Sequence, residues 1–147
     1  MATSAAAPAR IFRLTAAQLA APAGELQTFT FVGSLDLPRY VALAATRFVR
    51  NIYSNQIATA FDISADGSRA LVLTYGEVFE WNQDLAQPFQ SGRVLEPGRD
   101  FTLTDLPPLP QAESVAYLPD GDGIVYSSEA PAGLVPAPLY RQLCGRR

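Results

Sequence analysis

Alternating apolar and polar positions run through most of the chain and predict short β-strands joined by turns. The clearest stretch is Ala58–Tyr75, where two β-rich runs flank Asp66–Gly67, a dipeptide that predicts a tight hairpin. Residues 112–129 align with this stretch without a gap, and Asp120–Gly121 falls on Asp66–Gly67. The sequence therefore contains one strand-turn-strand unit twice.

Further strands surround these two hairpins in a repeated order. Three short runs combine an aliphatic, an aromatic and a charged residue, centred on Phe12, Phe79 and Tyr140, and they predict the third strand of three successive units. The predicted strands cover residues 10–15, 26–35, 57–64, 68–75, 78–81, 100–106, 113–118, 124–128 and 138–141. The chain then divides into the end of a first unit (9–36), an insertion (37–56), a complete four-stranded unit (57–106) and a partial third unit (111–142).

Two segments depart from the strand pattern. Residues 40–53 carry apolar side chains at helical spacing and predict an amphipathic helix, although Val41, Leu43 and Ala45 also alternate, which leaves a hairpin as the alternative. Residues 16–25 are rich in alanine but contain Pro22 and Gly24, so we expect a loop there with at most one helical turn.

The repeated turn, the strand order and the run from Leu109 to Gly121 (LPQAESVAYLPDG) resemble bacterial β-propeller proteins, especially those with esterase-like-phytase or WD40-like blades. The resemblance implies an all-β fold of four-stranded antiparallel blades around a channel, and an extracytoplasmic location. Propellers need about four to eight blades, whereas this chain supplies about two and a half. Open edges and faces then favour association with other protein chains or further copies of itself. A β-sandwich of about nine short strands is the alternative fold.

Composition narrows the possible functions. The net charge is −3 and all 11 basic residues are arginine, without the clustered basic face that nucleic-acid binding requires. The absence of histidine removes the commonest general base and transition-metal ligand. The longest apolar run, residues 40–45, is far short of the roughly 20 needed for a membrane span. Cys144, the single cysteine, is either a free thiol or half of a bridge to another chain.

Three carboxylates are candidate metal ligands: Asp62, Glu113 and Glu129. Glu113 begins a predicted first strand, and carboxylates that converge at a channel mouth could bind calcium through oxygen, as the resemblance implies for some relatives. The alternative is that these side chains are solvated or paired with Arg69 or Arg141.

Two other acidic residues are predicted to shape turns. Asp66 and Asp120 each precede glycine, and aspartate accepts local backbone hydrogen bonds at such positions. Residues 120–123 look like the start of a calcium loop, but Ile124 stands where the next ligand belongs, so we interpret the segment as a turn.

These observations leave two functional hypotheses. The first is a non-catalytic propeller segment that acts in assembly or ligand binding through blade edges and loops. The second, implied by the resemblance, is a calcium-dependent phytase-like or esterase-like hydrolase that uses metal-activated water. The chain has neither a phosphate-binding glycine loop nor a nucleophile elbow, which favours the first hypothesis and leaves no cofactor expected other than calcium.

Overall fold

The computed structural model describes residues 8–37, 57–82, 95–107, 111–129 and 137–143. Within these ranges nine strands form three antiparallel sheets, ordered β1-β2, β3-β4-β5-β6 and β7-β8-β9, which do not close into a ring. A short helix lies between β1 and β2. The elements are β1 (Ala9–Arg13), α1 (Ala16–Leu19), β2 (Thr30–Leu35), β3 (Ala60–Ile63), β4 (Ala70–Leu73), β5 (Glu77–Trp81), β6 (Phe101–Asp105), β7 (Ala112–Tyr117), β8 (Gly123–Ser128) and β9 (Leu139–Leu143). The predicted all-β class is confirmed, with two, four and three strands in successive sheets.

The first connection is a loop that contains one helical turn, α1, within the limit that the sequence predicted for residues 16–25. Thr15 and Gln18 form a reciprocal cap: the Thr15 hydroxyl accepts from the Gln18 N–H at 3.2 Å, and Gln18 Oε1 accepts from the Thr15 N–H at 2.9 Å. Gln18 Nε2 also donates to the Thr28 carbonyl at 2.9 Å, and β2 begins only at Thr30 rather than at the predicted Leu26. The predicted helix at 40–53 and Cys144 lie outside the described residues.

The two predicted hairpin turns have the same geometry. Gly67 and Gly121 both have φ of 71°, a left-handed conformation that favours glycine. Asp66 and Asp120 each accept, through Oδ1, a hydrogen bond of 3.0 Å from the backbone N–H two residues further on. Both turns and both turn-forming aspartates are therefore confirmed, and the sequence repeat is also a structural repeat.

The three sheets stack face to face, with the four-stranded sheet in the middle. Along β4, Ala70 and Val72 point toward the first sheet, whereas Leu71 and Leu73 point toward the third. All four residues are buried, because the middle sheet is covered on both faces. The first core contains Leu35, Leu37, Ala70, Val72, Phe79, Trp81, Leu95 and Phe101. The second contains Leu71, Leu73, Val78, Leu106, Ala112, Val115, Ile124 and Tyr126.

The described part of the chain contains one helix, α1, which has four residues. No helix in the described ranges is long and apolar enough to cross a membrane.

Candidate functional site

Two of the three predicted metal ligands lie around one tyrosine hydroxyl. The Tyr75 hydroxyl donates a hydrogen bond of 3.3 Å to Glu113 Oε1. The negative charge of Glu113, and to a smaller extent that of Glu129, raises the pKa of Tyr75 above its ordinary value. The repeat places Tyr75 and Glu129 at matching positions beyond the second strand of each hairpin, two residues after Leu73 and one residue after Ser128. The two glutamates thus share an exposed rim between the middle and third sheets.

The third predicted ligand, Asp62, has a different position and a different partner. Its Oδ2 accepts a hydrogen bond of 2.7 Å from the backbone N–H of Tyr117, which joins β3 to β7. A carboxylate that accepts a backbone N–H stabilises the contact between the two elements that carry the groups. Asp62 is therefore a link between the middle and third sheets.

The described residues contain no group of three or more cysteine, aspartate or glutamate side chains that could hold a metal ion. Calcium binding by Asp62, Glu113 and Glu129 stays a prediction, as does the hydrolase hypothesis that depends on it. Arg69, one of the two expected partners of these carboxylates, instead forms an ion pair with Glu80 at 2.7 Å.

The Arg69–Glu80 ion pair belongs to a polar cluster that the sequence did not reveal. The Tyr117 hydroxyl donates to Glu80 Oε1 at 3.2 Å, and the Arg69 guanidinium lies 5.0 Å from the centre of the Tyr117 ring. Burial and the neighbouring Glu80 carboxylate raise the pKa of Tyr117, so its hydroxyl stays protonated at neutral pH. The cluster fastens β4 and β5 to β7. Its signal in the sequence is weak: Glu80 interrupts the otherwise apolar run from Val78 to Trp81.

An aromatic pair recurs in each of the three sheets. The ring centres are 5.6 Å apart for Phe12 and Phe31, 6.0 Å for Phe79 and Phe101, and 5.4 Å for Tyr126 and Tyr140. In the middle and third sheets the pair points toward the preceding sheet and packs in the core between them. Each sheet therefore presents an aromatic pair on the same face.

The pair of the first sheet is uncovered. Phe12 is 44% exposed and Phe31 is 48% exposed, whereas Phe79, which matches Phe12 in the repeat, is 4% exposed. The Arg10 guanidinium lies 4.9 Å from the centre of the Phe12 ring and 5.2 Å from that of Phe31. We call Arg10, Phe12 and Phe31 the aromatic end face.

A groove of about 410 Å³ runs between β1 and β3 beside the aromatic end face. Phe61 lines it and is 46% exposed, whereas its repeat counterpart Val115 is 9% exposed. Val115 is covered by the middle sheet, but the first sheet has only two described strands and leaves Phe61 open. The groove lies where the two described strands of the first sheet leave this side of the middle sheet uncovered.

The opposite end of the stack is also open. In the middle sheet β5 pairs with both β4 and β6, whereas among the described strands β9 pairs only with β8. The outward side of the third sheet carries Val125 and Ser127 on β8 and Leu139, Arg141 and Leu143 on β9, and Leu139 is 73% exposed. We call the three apolar residues on this side, Val125, Leu139 and Leu143, the aliphatic end face.

Comparison of the chain with protein-family models, curated proteins and solved structures finds no match. The resemblance to β-propellers therefore stays a prediction, and the case for function depends on the two end faces, the groove and the open strand edges.

Proposed function

We propose that this chain is a non-catalytic assembly segment. It associates with other protein chains or further copies of itself through the open edges and uncovered faces of its sheets. The contacts it offers are of two kinds: apolar side chains on the end faces, and the unpaired backbone groups of an edge strand, which pair with an added strand.

One observation carries the proposal. Positions that match in the repeat are buried where a neighbouring sheet covers them and exposed where none does. Leu139 on β9 matches Val78 on β5, because their partners Ser127 and Leu73 are matching residues of the repeat, yet Leu139 is 73% exposed and Val78 is 2% exposed. Phe61 and Val115 differ in the same way. At these positions the open surfaces carry apolar side chains of the kind that is buried between sheets elsewhere in the same chain.

The energetic reason for association is the hydrophobic effect. Covering apolar surface contributes roughly 25 cal/mol per Å², and contiguous exposed apolar patches are typical of interaction surfaces. The exposed large side chains include Phe12, Phe31, Leu139 and Leu143 at the two ends and Phe61 in the groove. Because each is held on a strand, a partner would meet a largely preformed surface.

The test is the native mass of the purified chain, measured by light scattering and sedimentation over a wide concentration range, together with binding of a hydrophobic fluorescent dye. We expect a particle heavier than the 15.8 kDa monomer, or a monomer that binds the dye at its uncovered faces and docks on another chain. Serine at both Phe12 and Phe31 should reduce the dye signal. A monomer at every concentration that binds no dye would contradict the proposal.

A further inference from the structure

We propose that the aromatic end face of one copy is the docking site for the aliphatic end face of a second copy, so that the chain assembles head to tail. This inference rests on the assembly function proposed above. It adds the partner, the two surfaces and the polarity of the contact.

The first step of the argument is the common orientation of the aromatic pairs. Phe79 and Phe101 point toward the first sheet, and Tyr126 and Tyr140 point toward the middle sheet. Ile11 packs against the first core, and Phe12, the next residue on β1, points to the opposite side. The pair of the first sheet is thus oriented like the other two and lacks only a preceding sheet among the described residues.

The second step is the kind of surface that covers such a pair. Tyr126 and Tyr140 pack in one core with Leu71, Leu73 and Val78, which lie on the side of the middle sheet that faces the third sheet. A sheet that continues the stack before β1 would cover Phe12 and Phe31 with the same side of its own strands.

The corresponding side of the third sheet, which faces away from the middle sheet, is not covered by another sheet of the described residues. Val125 aligns with Leu71 in the hairpin repeat. Leu139 corresponds to Val78, because Leu139 pairs with Ser127, Val78 pairs with Leu73, and these two partners align in the repeat. Leu71 and Val78 are buried, whereas Val125 is half-buried and Leu139 is exposed. The aliphatic end face is therefore the counterpart, within this chain, of the surface that already covers an aromatic pair.

The geometry assigns the contact to two copies. The first and third sheets lie on opposite sides of the middle sheet, and their end faces point away from each other. One copy cannot bring its own end faces together while the stack is intact. Two different surfaces that meet in this way make a heterologous interface, which closes into a ring or continues as an open chain of copies.

The decisive experiment uses one variant for each end face. Phe31→Glu places a carboxylate on the aromatic end face, and Leu139→Glu places one on the aliphatic end face. Desolvating a carboxylate in an apolar contact is costly even where an arginine lies nearby, so each change should weaken the contact by at least about a hundredfold. Each variant alone should therefore sediment as a monomer. An equimolar mixture should form a dimer, because the first variant keeps an intact aliphatic face and the second keeps an intact aromatic face.

Two controls keep the experiment decisive. Leu19→Glu changes an exposed leucine on α1, away from both end faces, and should leave the native mass unchanged. Phe31→Ser and Leu139→Ser serve if a glutamate variant fails to fold, which the fluorescence of Trp81 would reveal.

Three results would overturn the head-to-tail contact. Variants that assemble like the unmodified chain would show that other surfaces associate, and the assembly function would survive. A mixture that stays monomeric would show that the contact does not join these two faces. An unmodified chain that is monomeric but binds the hydrophobic dye would exclude a second copy, while the function of docking on other chains would stand.

Discussion

Phe79 and Phe12 occupy the same position in successive sheets but differ in exposure, and truncating each to alanine should reveal what covers them. Phe79 is 4% exposed and packs against Phe101 in the first core, whereas Phe12 is 44% exposed on the aromatic end face. Phe79→Ala removes a buried ring and leaves a cavity, whereas Phe12→Ala removes a ring that water already reaches.

The burial of each ring sets the expected magnitudes. Replacing a buried phenylalanine by alanine lowers the free energy of unfolding by about 3–5 kcal/mol, because the lost transfer energy adds to the cost of the cavity. The Phe12 side chain is only about half buried, and its removal leaves no closed cavity. We therefore expect the free energy of unfolding to fall by about 1 kcal/mol. The difference is a large share of the roughly 5–15 kcal/mol that stabilises a typical domain.

Urea unfolding followed by the fluorescence of Trp81 measures both effects. Trp81 is the single tryptophan of the chain and lies buried in the same core as Phe79. The protein concentration should be low, so that association does not cover the Phe12 ring and add to the measured free energy of unfolding. Phe79→Leu keeps most of the volume and should cost clearly less than Phe79→Ala. Equal losses for Phe12→Ala and Phe79→Ala, with unchanged denaturant slopes, would refute the face-to-face packing of the first two sheets.

Three further predictions concern a strand pairing, a turn and a contact between sheets. In Gly123→Ala the new Cβ would collide with the Gln142 carbonyl on β9, so we expect a loss of about 1–3 kcal/mol and faster amide exchange along β9, which unchanged exchange would contradict. Hydrogen bonds from the Ser64 hydroxyl and from the backbone and hydroxyl of Ser68 lower the pKa of Asp66 from 3.8 to about 2. Asp66 should therefore stabilise the fold above pH 3.8 and lose this contribution as the pH falls toward 2; a carboxyl NMR titration with a midpoint near 3.8 would contradict this. Tyr117→Phe removes the hydrogen bond to Glu80 and should cost about 1–2 kcal/mol in urea unfolding at neutral pH, whereas Tyr75→Phe, on the exposed rim, should cost clearly less. Equal costs for the two tyrosines would contradict the role of the polar cluster.

The hairpins could be predicted because their signals are local. Alternation and an Asp-Gly dipeptide specify a strand pair and its turn within about 18 residues, and the carboxylates of Asp66 and Asp120 act on backbone groups two residues away. The gapless alignment then showed that both hairpins belong to one kind of unit. The cap on α1 is equally local, because Thr15 and Gln18 are three residues apart and each side chain accepts from the other's backbone N–H.

The polar contacts between sheets could not be predicted, because they depend on which faces meet. Asp62 reaches the Tyr117 N–H across 55 residues of sequence, and the Tyr117 hydroxyl reaches Glu80 across 37. Period-two alternation places a side chain on one side of its strand but does not say what lies opposite. The same limit explains why the three candidate carboxylates separated into a rim around Tyr75 and a single inter-sheet link.

Electrostatics should make head-to-tail association stronger as salt is added. Arg10 lies on the aromatic end face, and Arg141, opposite Val125 in the register of β8 and β9, is exposed beside the aliphatic end face. The contact would bring these like charges toward each other, and each copy also carries a net charge of −3. Both repulsions weaken when the screening length shortens from about 14 Å near 0.05 M salt to about 4 Å near 0.5 M. Sedimentation at the two salt concentrations should therefore show tighter association at the higher one, and Arg10→Gln or Arg141→Gln should reduce the difference. Association that weakens with salt, or a salt response that neither substitution changes, would place these arginines outside the contact.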